Sequence, residues 1–168
     1  MLGSEELAYQ FTDDPIFVIG SGAASDGALH ARSSLTSIPS AKLAADKAYE
    51  MAGVSASDIK LAEVHDCFTI AEIIATEDIG FFEAGKGGKA AEEGQTSRTG
   101  SKPINTSGGL KSKGHPVGAS GAGQVVEIWK QLRGQAGTRQ LAGNPDLGLT
   151  HNVGGTGQTC VVNIFERR

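Results

Sequence analysis

Two short stretches of this 168-residue chain carry side chains that could do chemistry. Val64-His65-Asp66-Cys67-Phe68 sets an imidazole, a carboxylate and a thiol on three successive residues. A thiolate is a nucleophile or a base, an imidazole moves protons near neutral pH, and a neighbouring helix N-terminus favours the ionised thiol. Gly114-His115-Pro116-Val117-Gly118 places a second imidazole between a conformationally free glycine and a proline suited to open a helix, a geometry that fixes the ring against a cleft floor. Each stretch also has a plainer reading: Cys67 as a small buried hydrophobe, His65 as a hydrogen-bonded turn residue, His115 as an exposed residue at a helix start. His65, Cys67, His115 and His151 contain the atoms that zinc takes, but no His-x3-His shares a helix face and no CxxC occurs, so no metal site is expected. Val18-Ile19-Gly20-Ser21-Gly22-Ala23-Ala24-Ser25 imitates the start of a dinucleotide fingerprint; the polar stretch that follows puts no helix after it, and a strand-exit turn is expected instead.

Periodicity indicates the elements that would hold these groups. Ile16-Phe17-Val18-Ile19 reads as a strand bounded by Pro15 and the Gly20-Ser21-Gly22 turn. Ala41, Ala44, Ala45, Ala48, Met51 and Ala52 repeat at helical spacing, with Ser40 as N-cap and Gly53 as the stop. Residues 59–64 read as a second strand, which places Cys67 between a strand end and a helix start. Thr69 and Glu72 have the spacing of a capping box, and Ile70, Ile73, Ile74 and Phe81 continue the helix. Residues 84–114 form a glycine-rich polar connection, far longer than the usual few residues and therefore expected to line a site or lie under a partner. Ala122, Val125, Val126, Trp129 and Leu132 predict another helix, ended by Gly134. Residues 147–151 and 159–165 predict a β-hairpin around Gly154-Gly155-Thr156-Gly157, with Cys160 as core. The order β-α-β-α-α-β-β predicts an α/β layered sheet with helices packed on it, one domain over residues 1–168.

Composition narrows the class. With 39% apolar and 20% charged residues and a net charge of −4 without like-charge blocks, the chain is globular and lacks the basic footprint of a nucleic-acid binder. No apolar run approaches membrane-spanning length, and no secretory signal opens the chain, so a cytoplasmic protein is expected. Two cysteines are too few for a disulfide framework. The 24 glycines, about twice the average share, flank the histidines and are expected in close-approach loops.

Three stretches together are specific. Val64-His65-Asp66-Cys67-Phe68, then Asn105-Thr106-Ser107-Gly108-Gly109-Leu110 with Gly114-His115-Pro116-Val117-Gly118-Ala119-Ser120-Gly121, then His151-Asn152-Val153-Gly154-Gly155-Thr156-Gly157 resemble, in order and spacing, the C-terminal domain of the thiolase superfamily. The resemblance runs from about Leu2 onward and implies the layered thiolase fold with a mixed sheet. His-Asp-Cys-Phe stands where common thiolases have Asn-Glu-Ala-Phe, which resembles the branch of sterol-carrier-linked thiolases and archaeal acetyl-CoA acetyltransferases. Asn152-Val153-Gly154 stands where common thiolases have Cys-x-Gly, leaving Cys67 as the available substitute.

The resemblance implies an acyl-CoA C-acyltransferase of lipid metabolism, with a coenzyme A thioester as substrate and no covalently bound cofactor. It gives Cys67 the proton transfer at the α-carbon, His115 the lining of the oxyanion hole and support of the nucleophile, and His65 the same oxyanion hole or its ordered water. Gly108, Gly109, Asn152, Gly154 and Gly155 would stand close to the thioester as support. Thiolases acylate a cysteine of the N-terminal half, whose motif neither cysteine here matches. The abrupt start at Leu2-Gly3-Ser4-Glu5-Glu6 suggests that this half is absent, so an N-terminal thiolase half or subunit is an expected partner, a homodimer the expected assembly, and the chain alone is expected to be inactive. Two alternatives stay open: a non-catalytic thiolase-like scaffold subunit, and a thiolase-like aldolase, which tyrosines at the acid/base positions would favour; Tyr9 and Tyr49 fall outside the motifs.

Overall fold

Four segments rich in β-branched and small residues pair into one mixed sheet in the computed structural model, which describes residues 2–168. They are β1 (Ile16–Ser25), β2 (Leu61–Glu63), β3 (Leu147–Gly154) and β4 (Thr159–Arg167), in the spatial order β1-β4-β3-β2. β4 is antiparallel to both β1 and β3, and β2 runs parallel to β3. The hairpin of β3 and β4 forms as expected, and the parallel pair β2–β3 delivers two chain segments to the same carboxyl edge of the sheet. The mixed α/β layering follows the sequence reading.

One face of the sheet is covered by α2 (Pro39–Ala52) and α3 (Thr69–Asp78), whose Ala41, Ala44, Ala45, Ala48 and Ala75 pack on Leu149, Val162 and Ile164. The expected turn at Gly20-Ser21-Gly22 is not a turn. β1 runs on to Ser25, and Gly20, Gly22 and Ala24 point inward beneath α2. A Cβ on Gly20 or Gly22 would collide with the carbonyl oxygens of Ala48 and Ala44. These glycines therefore set the distance between helix and sheet, and no phosphate-binding loop exists there. On the opposite face α6 (Ser120–Leu132) buries Ile128 and Leu132 against Leu61, Leu141 and Phe165.

Several local expectations are corrected. Ile38, not Ser40, is the N-cap of α2, with Pro39 in its first turn; the Ser40 hydroxyl instead donates to the Gly157 carbonyl at 2.7 Å and pins the hairpin tip. Asp78 takes over the capping by accepting from the Ile38 N–H at 2.6 Å. The capping box does not form, because Phe68 is the N-cap of α3 and Glu72 is turned to Asn105. α3 stops at Asp78, and Phe81 packs on the core beyond its end. Within 84–114 lie two helices, α4 (Gly87–Glu92) and α5 (Gly109–Lys113), too short and glycine-rich to show an apolar period. A further short helix, α1 (Glu5–Ala8), precedes β1. Gly53 ends α2 at φ 67°, as expected.

Gly22→Ala is expected to destabilise the domain by about 2–3 kcal/mol, since the added methyl meets backbone that cannot swing aside. Gly27→Ala, whose methyl would meet only Ala31 at ordinary contact distance, should change stability by less than about 1 kcal/mol. Urea denaturation of both variants checks the pair.

Candidate active site

The carboxyl ends of β2 and β3 open onto one rim. The residues just after β2 carry His65, Asp66 and Cys67; β3 carries His151 and Asn152; the segment between α5 and α6 carries His115. The rings of His65 and His115 meet edge to face, centroids 4.8 Å apart and planes at 77°. His65 is buried, whereas His115 and Cys67 are exposed. His115 Nδ1 lies 2.9 Å from Ser120 Oγ, and that hydroxyl donates its proton to the Pro116 carbonyl, also at 2.9 Å. A hydroxyl has one proton to give, so His115 Nδ1 is the donor to Ser120 Oγ.

A set of polar contacts missed by sequence reasoning builds this rim. Asn105, at φ 51°, bonds the Ala62 carbonyl through its N–H, accepts from the Val64 N–H at 2.8 Å, and donates to Glu72 at 2.7 Å. Asn is among the few residues that tolerate this backbone region, which was the available signal. Glu63, fully buried, accepts from the Ser107 N–H at 3.0 Å, from the Ser107 hydroxyl, and from Lys113 at 3.3 Å. Asp66 accepts from the Leu110 N–H at 2.8 Å.

The supporting residues divide. Gly109, at φ 66°, is required because a Cβ would collide with the Asp66 carboxylate, so its close approach is to this chain and not to open space. Gly108, at φ 92°, is crowded by Ser112 in the same way. Asn152 donates to Gln124 of α6 at 3.0 Å. Gly154 and Gly155 lie exposed at the hairpin tip, Gly155 at φ 61°.

Electrostatics revise one expectation. The Cys67 thiol is pushed above its usual value, first by burial and further by Asp66, and the backbone N–H groups of Phe68 and Cys67 only partly offset this. The strand-to-helix junction therefore does not by itself favour the thiolate. Burial, then His115, lowers His65, with Asp66 opposing. Burial raises Glu63 against the pull of Ser107 and Lys113.

Three apolar side chains of the segments that carry these groups are open to solvent. Phe68, Ile70 and Val117 are 74%, 58% and 93% exposed. Two cavities of about 670 and about 590 Å³ lie elsewhere, one along Tyr49 and Asp78, the other along Lys60 and Asn144. Among the described residues no group of His, Cys, Asp and Glu is placed to hold a metal ion, and no helix is long and apolar enough to cross a membrane.

A layered mixed sheet with His-Asp-Cys and Gly-His-Pro segments on one rim is the architecture of a thiolase half. The chain belongs to the family described as thiolase C-terminal domain-like, which matches residues 21–167. It is 50% identical to an acetyl-CoA acetyltransferase of Methanothermobacter thermautotrophicus over 96% of this chain and 42% of that protein. It is 46% identical to sterol carrier protein 2 of Bos taurus over 74% of this chain and 23% of that protein. The chain thus spans less than half the length of the curated relatives it matches. Among solved structures it resembles the Ltp2-ChsH2(DUF35) aldolase, with a TM-score of 0.85 and 25% identity over 97% of this chain and 42% of that one. A monomeric SCP2-thiolase-like protein of Mycobacterium smegmatis shares the fold, with a TM-score of 0.64, 17% identity and coverage of 90% of this chain and 29% of that one.

His151, buried, is held down to about 3, by burial first and by His65 second, against an ordinary unfolded value of about 6.5. Between these values the unfolded chain binds a proton that the folded chain refuses, so stability is complete above about pH 6.5 and is lost as pH falls. The stability of the chain relative to His151→Asn, from urea titrations at pH 7, 6 and 5, is expected to fall by about 1 kcal/mol per pH unit below pH 6. A pH-independent difference contradicts the assignment.

Proposed function

We propose that this chain supplies the acid/base and oxyanion-binding half of an acyl-CoA C-acyltransferase, with a complementary N-terminal thiolase half supplying the nucleophilic cysteine. The observation that carries the reading is the pairing of the His65 and His115 rings at 4.8 Å, with the Cys67 thiol exposed two residues beyond His65 in the chain. In thiolytic cleavage of a 3-oxoacyl-CoA, the partner's thiolate attacks the keto carbon, the bond between C2 and C3 breaks, and its electron pair becomes the enolate of acetyl-CoA. A thiol that keeps its proton is the form that returns one to that carbon, leaving acetyl-CoA and an acylated partner cysteine. His115 and His65 would face the oxygen on which charge develops. Free CoA then takes the acyl group, so coenzyme A enters as substrate and not as a bound cofactor.

The exposed apolar side chains of Phe68, Ile70 and Val117 support a covering partner. A homodimer of the completed enzyme, a cytoplasmic site of action and a place in acyl-lipid metabolism belong to the same proposal. The likeness to the Ltp2-ChsH2 aldolase favours a second reading, aldol cleavage on the same scaffold. Against it, Tyr9 is exposed near the chain start and the Tyr49 hydroxyl donates to the Ile79 carbonyl in the α2–α3 layer, so neither tyrosine reaches the rim.

The test mixes the chain with a separately prepared N-terminal half of the Methanothermobacter relative and follows acetoacetyl-CoA cleavage by free CoA. Activity is expected from the mixture and from neither part alone, with Cys67→Ala lowering kcat by about 100-fold or more, the range of a lost proton-transfer group. Full activity in Cys67→Ala would sink the role given to this thiol.

A further inference from the structure

His151 touches the site from behind. It lies on β3 opposite Val162, is 1% exposed, and its own carbonyl accepts from Gln124 of α6 at 3.1 Å. The parallel ladder of β2 on β3 ends at the pair Glu63 and Thr150. One step further, the backbone N–H of His65 finds no carbonyl in that ladder and donates instead to His151 Nδ1, at 3.4 Å. Nδ1 can accept only when unprotonated, so His151 is neutral with its proton on Nε2, and Nε2 is buried with no protein partner. A ring with one buried donor left without a protein partner is a costly choice for a core strand position. What it supplies there is an acceptor for the one amide that sits where strand turns into site.

We propose that His151 is a positioning residue. Its ring nitrogen carries the β2–β3 ladder one residue past its backbone end and fixes the turn that sets His65 against His115 and Cys67 on the rim. Three donors tie that segment: the Val64 N–H to Asn105, the His65 N–H to His151, and the Leu110 N–H to the Asp66 carboxylate. Of the three anchors only His151 sits on β3, so it alone ties the site turn to the core hairpin. The catalytic consequence rests on the acyl-transfer reading; the bond itself does not.

Amide hydrogen exchange on the 168-residue chain, read by NMR, tests the bond directly. The oxygen of an Asn side chain falls close to where an imidazole Nδ1 lies, so His151→Asn keeps the acceptor, whereas His151→Leu removes it. The His65 amide is expected to exchange within about threefold of wild type in His151→Asn and about tenfold or more faster in His151→Leu, the Val162 amide staying protected in both. Equal His65 exchange in wild type and His151→Leu overturns the proposal. If His151→Leu does not fold, His151→Asn decides: protection retained at His65 supports the role, and tenfold faster exchange with Val162 unchanged refutes it. In the reconstituted mixture, His151→Leu should lower kcat with KM unchanged and His151→Asn should restore it; loss of kcat equally in both variants also refutes it. A mixture inactive with the wild-type chain would count against the acyl-transfer reading, while the exchange result still decides the role of His151.

Discussion

The candidate site depends on the carboxylate of Glu63, placed at the last position of β2 with no exposure to water. A buried carboxylate is costly unless it is paired and hydrogen-bonded. Here the Ser107 N–H, the Ser107 hydroxyl and Lys113 provide that compensation, and all three come from the same return segment. Glu63 thus draws residues 105–114 onto the end of the strand. Once drawn in, Asn105 and Leu110 reach the backbone of Val64 and the carboxylate of Asp66. Lys113 ends α5, and His115 follows two residues later. Satisfying one buried charge therefore brings His115 to His65.

The second constraint is spacing by absence of side chains. Gly20 and Gly22 let α2 lie on β1 at backbone distance, and Gly109 lets Asp66 lie on α5. Other glycines, such as Gly53, Gly114 and Gly134, meet nothing where a Cβ would stand and serve instead a left-handed backbone turn.

What the sequence made legible follows from where periodic burial dominates. α2 carries a continuous apolar face and β3–β4 is a hairpin with its own turn residues, so each was readable with bounds close to those observed. α6 was readable in its bounds but not in its face, because it buries Gln124, Glu127, Ile128 and Gln131 and leaves Ala122, Val126 and Trp129 exposed. His65 and Cys67 were legible as residues between a strand end and a helix start, and His115 as a residue ahead of a helix. Three things were not readable. β1 continues through Gly20-Ser21-Gly22 because α2 covers it, which is tertiary information. α4 and α5 are held by contacts with the rest of the chain, such as Glu77 on the Gly87 N–H and Glu63 on Lys113, and have no period of their own. The roles of Glu63, Asn105 and His151 come from partners more than 40 residues away, which no local pattern reports.

The chain presents an exposed thiol and two apposed imidazoles, and in the acyl-transfer proposal the thiol moves the proton while another half takes the covalent step. The α-proton of the thioester is then the most direct object to follow. In deuterated buffer, the chain mixed with an N-terminal thiolase half is expected to exchange the methyl protons of acetyl-CoA for deuterium, seen by NMR. The same mixture with Cys67→Ala should acylate the partner cysteine yet leave those protons unexchanged. Undiminished exchange in the Cys67→Ala mixture would contradict the account.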